Sequence, residues 1–345
     1  MKVRMGAVGI LLTVGFLLIS GISQPTQSQG QEQASSRTLF VCPQVCTFAK
    51  IQNAINAAGF GDTIRVLAGT YRENLVIMKT LVLEGAGKDQ VTLEPADVSS
   101  PLIMIQDTQI VVKHFTLQGG PGSSTKVGRR TIQIRGFSQA QILDNRIIGP
   151  REGASVEVLG PAQAIIEANE ILASSFGVII GQEIDTHPSL GASPGQALLI
   201  KNNIYGHSVH GIMGSNFFAQ ENLIHDNGED GLSIDRSKLW NNKIYMNKKV
   251  GIRSYGSVDI IENEIFQNED GVMLFGGYMY GLNNHVHDNH RWGFALWNEG
   301  CGYEYGVRRI SEVLVEGVAN RITENGKGSV CPSTSPWPVS FWVAR

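Results

Sequence analysis

Hydrophobic residues along this chain alternate with polar ones in short bursts, as in Gly231-Leu-Ser-Ile-Asp235, rather than recurring every three or four positions. Strict alternation sends successive side chains to opposite faces of a β-strand, so each burst predicts a short strand with one face in and one face out. The bursts themselves recur. A phrase of Asn, any residue, Ile or Val, two residues and Asn, followed shortly by Gly and an apolar residue, starts at Asn222, Asn242, Asn263 and Asn284, spaced 20, 21 and 21 residues apart. Weaker copies start at Asn145, Asn169, Asn202 and Asn320. Repeats of about this length are either leucine-rich or wound as a parallel β-helix. The Leu-x-x-Leu-x-Leu core of the first kind is absent, which leaves an all-β solenoid with two or three short strands per coil and coils about 4.8 Å apart. Asn side chains stacked coil on coil satisfy one another and the turn backbone as a ladder, so most of the Asn is structural.

A stack of coils has apolar ends that need covering. Phe48, Ile51, Ile55 and Ala58 share one face of a predicted helix, read as an N-terminal cap over about residues 42–60. A tail over about 328–345, with Trp337 and Trp342, is expected to lie across the last coil, so the solenoid domain spans 38–345. Ahead of it, Lys2 and Arg4 precede an apolar run from Gly6 to Ile19, and Gly21 and Ser23 supply the small residues of a cleavage site. Residues 1–23 therefore read as an export signal, with an uncleaved anchor as the alternative, and 24–37 as a polar tether. The apolar run is shorter than the ~20 residues that span a bilayer, so no integral membrane domain is expected and the protein is placed in the periplasm or outside the cell.

Composition narrows the classes. Gly is 40 of 345 residues and charged residues are 17%, against a usual ~25%, which argues against bundles, coiled coils and disorder. Lys and Arg number 28 against 31 Asp and Glu, so the electrostatic footprint of a nucleic-acid partner is missing. Four cysteines in an exported chain favour disulfides. Of three pairings, Cys42–Cys46 closing the N-terminal turn and Cys301–Cys331 fastening the tail are expected, over a zinc site for which no His stands at ligand spacing. A monomer without a cofactor is expected; Asp226, Glu229 and Glu269 are candidate calcium ligands at the coil edge, without a diagnostic spacing.

The stretch IQNAINAAGFGDTIRVLAGTYRENLVI and the repeats that follow resemble the right-handed parallel β-helix, pectin-lyase-like superfamily over about Thr38 to Lys327. That resemblance implies a right-handed coil and a fold that hosts lyases, hydrolases, esterases, epimerases and non-catalytic members. Gly69-Thr-Tyr-Arg-Glu73 is similar to a phrase of pectin methylesterases whose later Asp and Arg motifs are missing, and Asp185-Thr-His187-Pro is a scrambled form of an alginate-epimerase motif. The Asp, His and Arg order of polygalacturonase-like hydrolases is not kept either. In repeat style the chain is similar to the periplasmic proteins that assist nitrous-oxide reductase maturation, which implies a partner-binding alternative.

In a solenoid, one repeat position stacks into one stripe, so candidate chemistry is read down columns. Counting from the repeat Gly, the fourth residue after it gives Ser215, Asp235, Tyr255, Phe275 and Trp297, three aromatics in a row on an outward column. The second gives Met213, Ser233, Arg253, Met273 and Ala295, also outward; the residue before Gly gives His210, Asp230, Val250, Asp270 and Trp292. An exposed aromatic stripe predicts a polysaccharide groove, with Asp230, Phe275 and Trp297 as binding residues. Two insertions, Gly181–Gly195 and Asn298–Glu312, are expected to wall its ends. For a lyase or epimerase acting on an acidic sugar, Arg253 would clamp the carboxylate and Tyr255 or His210 would be the base, with Asp235 alongside; Asp230 with Asp235 would serve a hydrolase. The plainer readings are turn residues for Asp230 and Asp270, and a surface pair of Arg253 with Asp235.

Overall fold

The computed structural model describes residues 36–120, 129–181, 194–297, 299–303, 312–333 and 336–341. The export signal, most of the tether, the body of the first insertion and Trp342 lie outside the described residues.

Among the described residues three parallel sheets of 12, 11 and 11 strands are formed, and successive coils give one strand to each. One coil, for example, runs through Val258–Ile261 in the first sheet, Glu264–Phe266 in the second and Asp270–Leu274 in the third. Register is kept by the repeat length: Lys243, Glu264, His285 and Arg321 stand in line across the second sheet. Inward positions form unbroken apolar columns, Ile204, Ile224, Ile244, Ile265 and Val286 on the second sheet and Ile212, Leu232, Ile252, Val272 and Phe294 on the third, all fully buried.

Both corners bounding the second sheet use one device. A residue in the left-handed region, such as Glu221, Asn241 and Glu262 at one corner or Asp226, Met246 and Gln267 at the other, is followed by a buried Asn. That conformation costs an L-residue about 1 kcal/mol or more, and the Asn offsets it by satisfying the turn. The Asn222 backbone N–H and Nδ2 both donate to Oδ1 of Asn242, at 3.0 and 2.9 Å, while Nδ2 also donates to the Leu199 carbonyl at 2.9 Å. The same pattern links Asn145, Asn169, Asn202, Asn222, Asn242, Asn263, Asn284 and Asn320. A second ladder runs from Asn227 through Asn247, Asn268 and Asn289 to Asn325. It begins on His207, whose backbone N–H donates to Asn227 and whose ring bonds Ser174 at 2.8 Å and the Ile171 carbonyl at 3.1 Å. The repeat Gly is required by close approach: a Cβ on Gly231 would stand 2.7 Å from the Gly251 carbonyl oxygen and 2.8 Å from Asn247 Nδ2.

At the N-terminal end the helix Ile51–Ala57 buries Ile51, Ala54 and Ile55, and Glu73 accepts its first backbone N–H groups at 2.8 and 3.1 Å. At the other end Trp337 and Phe341 are buried against Phe294. The Phe341 carbonyl accepts from Asn320 Nδ2 at 2.7 Å, ending the first ladder. Disulfides join Cys42 to Cys46 and Cys301 to Cys331. Among the described residues no helix is long and apolar enough to cross a membrane.

Candidate functional site

The outer face of the third sheet carries an open cavity of about 450 Å³. It lies over the strands from His210–Ser215 to Trp292–Leu296. His210, Asp230, Arg253, Tyr255 and Trp297 all line it. Asp235 does not: its carboxylate turns to the coil corner, 3.2 Å from Arg236 Nε, and occupies the place a Cβ on Gly256 would need. Phe275 lies beneath the lining as part of the aromatic stack.

The centre is a buried ion pair. Asp230 is 1% exposed and accepts Arg253 Nε at 2.6 Å and Nη2 at 2.9 Å, a two-pronged fit. It also accepts the Val250 backbone N–H at 3.1 Å, and His210 Nδ1 stands 3.6 Å away. Arg253 thus reaches back to the column before the repeat Gly rather than pairing with Asp235 in the stripe beside its own. Burial opposes the guanidinium charge, but Asp230 outweighs it and raises Arg253 above its ordinary value. Burial lowers His210 against the pull of Asp230, which favours neutral imidazole.

Two coils further on the arrangement echoes itself. Asp270, equally buried, accepts the Trp292 backbone N–H at 3.0 Å and is raised by burial. The Tyr303 hydroxyl is buried beside it without a well-formed hydrogen bond, and that burial pushes the phenol upward. The Arg291 guanidinium lies 4.4 Å over the Tyr303 ring. At the rim, Lys249 pairs with Glu229 at 2.8 Å and Arg291 with Glu269 at 3.5 Å.

The aromatic stripe is real but differently used from the sequence expectation. Tyr255, Phe275, Trp297 and Tyr303 follow one another at 4.9, 4.8 and 4.9 Å, the first pair tilted by 34° and the others stacked, so their faces are turned largely to one another. Tyr255, at the N-terminal end, is the most exposed of them at 42%. The described part of the second insertion, Glu299 to Tyr303, closes the other end, held by the Cys301–Cys331 disulfide. Met273 and Ala295, expected outward, are covered there by a small second core with Val250, Cys301, Tyr303 and Cys331. Tyr303 was out of reach of column reading because it lies in an insertion with no repeat position. Asp270 stood in a column already read as turn residues.

With this geometry established, the family is shown by sequence. A model described as the right handed beta helix region matches residues 102–257 and 187–310, together more than half of the chain. The chain belongs to the right handed beta helix family. No curated protein matches this β-helix. Among solved structures it is similar to the A-module of the Azotobacter vinelandii mannuronan C-5 epimerase AlgE4, at 16% identity over 85% of this chain and 93% of that one, with a TM-score of 0.54. It is also similar to PfbA, a surface adhesin of Streptococcus pneumoniae, at 12% identity over 81% and 87% of the two chains and a TM-score of 0.57. The enzymatically active domain of the bacteriophage CBA120 tailspike protein 2 aligns at 11% identity over 83% and 50%, with a TM-score of 0.55. At such identities these likenesses establish the fold of this β-helix.

Proposed function

We propose that this β-helix binds a polysaccharide strand in the cavity on its third sheet. The observation that carries the reading is the interleaving of paired charges: Lys249, Arg253 and Arg291 each have a carboxylate within 4.0 Å, so among the described residues the cavity offers many donors and acceptors but no uncompensated Lys or Arg. Such a lining suits the hydroxyl groups of a neutral or mixed-charge glycan, while the Tyr255 ring and the edge of Trp297 supply apolar contact. Titration calorimetry against a panel of neutral and uronate-rich polysaccharides tests this. Binding by at least one neutral member is expected, weakened about two- to tenfold in Tyr255→Ala, for an aromatic contribution of ~0.5–1.5 kcal/mol. No binding across the panel, with capture of a protein partner instead, overturns it in favour of the partner-binding reading.

Lyase or epimerase chemistry on an acidic sugar is the second reading, favoured by His210, Arg253 and Tyr255 lining one cavity. It requires the sugar carboxylate to draw Arg253 away from Asp230. Appearance of unsaturated uronate absorbance, lost in Arg253→Lys, would establish elimination. Export is part of the same proposal. The two disulfides suit an oxidising compartment, and N-terminal sequencing of the secreted protein is expected to begin at Gln24.

A further inference from the structure

Outside the cavity, the second sheet carries a cluster that no part of the reading above uses. His285 and His287 flank the buried Val286 on one strand, so both rings lie on the outer face. Glu264 stands directly across from His285 on the preceding coil. One ligand atom from each of the three side chains lies within 4.8 Å of the others. We propose that Glu264, His285 and His287 bind a zinc-class divalent transition-metal ion.

The hydrogen bonds prepare these side chains for it. His287 Nδ1 is 2.7 Å from Asp288 Oδ2, which leaves Nε2 as the coordinating nitrogen. That Nε2 is buried without a hydrogen-bond partner, 3.6 Å from Glu264 Oε1, beyond hydrogen-bonding distance. A ligating imidazole held from behind by a carboxylate is the usual outer-shell arrangement of a metal histidine. Glu264 is likewise prepared on one side: Lys243 Nζ holds Oε2 at 2.8 Å and leaves Oε1 toward the histidines.

The molecule contains its own control. His225 occupies the same column and makes the same bond to its neighbour, Nδ1 to Asp226 Oδ2 at 2.6 Å. Its Nε2, however, is satisfied by Asn203 Oδ1 at 2.9 Å. The positions that hold Glu264 and His285 in the later coils hold Asn203 and Leu223 around His225. The His–Asp unit thus occurs twice in this column, and only the later copy joins it to a carboxylate and a second imidazole.

Two imidazoles and a carboxylate select zinc, cobalt, nickel or copper over calcium and magnesium, which prefer all-oxygen sites. Bonds of ~2.0–2.1 Å in a tetrahedron hold ligand atoms roughly 3.3 Å apart. The two imidazoles, stacked at 4.0 Å and 26°, swing out of their stack so that both nitrogens face the ion, with water in the fourth place. Arg321, opposite His285 on the next coil, opposes the ion and makes the site weaker than a closed structural one.

The test uses the untagged full chain after chelator treatment. Titration with Zn²⁺, and with Co²⁺ followed by visible absorbance, is expected to show one equivalent, lost in His287→Gln and in His285→Gln and unchanged in His225→Gln. Asp288→Asn, which tolerates the left-handed backbone there, is expected to weaken binding ~10- to 100-fold. In the unaltered protein, imidazole NMR signals of His285 and His287 should shift with Zn²⁺ while that of His225 does not, a readout independent of how the variants fold. Absence of stoichiometric binding, or shifts that spare His285 and His287, overturns the proposal.

Discussion

Stacked rings line the outer faces of two sheets in this solenoid, and the two stacks differ in order. On the second sheet Tyr205, His225, Tyr245, Phe266 and His287 lie 4.7 to 5.1 Å apart with interplanar angles of 4° to 8°. On the third, Tyr255, Phe275 and Trp297 tilt by 34° and 19° to their neighbours, and buried carboxylates lie alongside. Even coils give even stacks, and an even stack hides its faces from any ligand. The third-sheet face departs from the repeat in just those places where it is chemically equipped: a charge pair set into the wall, an arginine over a ring, and an inserted tyrosine closing the end. Ring faces in the regular stack serve as scaffold, and unusual side-chain chemistry stands where the repeat is broken: in the cavity of the third sheet and, on the second, where Glu264 and His285 join the edge of His287.

That contrast can be broken by substitution. The largest effect is expected for Arg253→Met, which strands the buried Asp230 carboxylate; breaking such a pair removes ~3–5 kcal/mol, to be read from denaturant midpoints. Next is the acid response of His207, where the second Asn ladder begins. Burial lowers this imidazole to about 4 from 6.5. The unfolded chain therefore takes up a proton near 6.5 that the folded one refuses until about 4. Stability is full above that window, falls as pH drops through it by about 3 kcal/mol, and levels off below it. His207→Asn, which restores the ladder residue, should flatten that slope in stability measured against pH. The smallest effect belongs to the ordered stack: Phe266→Ala is expected to lower stability by about 1 kcal/mol and to leave any glycan binding untouched. A loss of binding in Phe266→Ala would mean that the regular face is itself the site.

Columns explain what was legible in the sequence. Asn242 and Ile244 could be read because every coil repeats their chemistry, and the same logic located Arg253, Tyr255 and Trp297 on one face. Their use could not be read from columns alone. Arg253 is long enough to bypass the neighbouring stripe and find Asp230, while Asp235 is taken up by the corner at Gly256. Ring faces that looked available in a list of residues are covered once coils stack at under 5 Å. Tyr303 belongs to no column, and only the disulfide at Cys301 hints that its segment is tied down over the sheet. The left-handed residues before each ladder Asn were equally silent, since Ala168, Glu221 and Met246 share no side-chain chemistry.

The asparagine ladders carry one more implication. Because each amide bonds no farther than its own coil, the coil before and the coil after, a whole coil can be gained or lost and the two broken ends still match. The gap between Arg253 and the wall at Tyr303 is therefore quantised in steps of about 4.8 Å. Under the polysaccharide-binding proposal, the length of strand accommodated is set by counting coils, much as a ruler is cut at its marks.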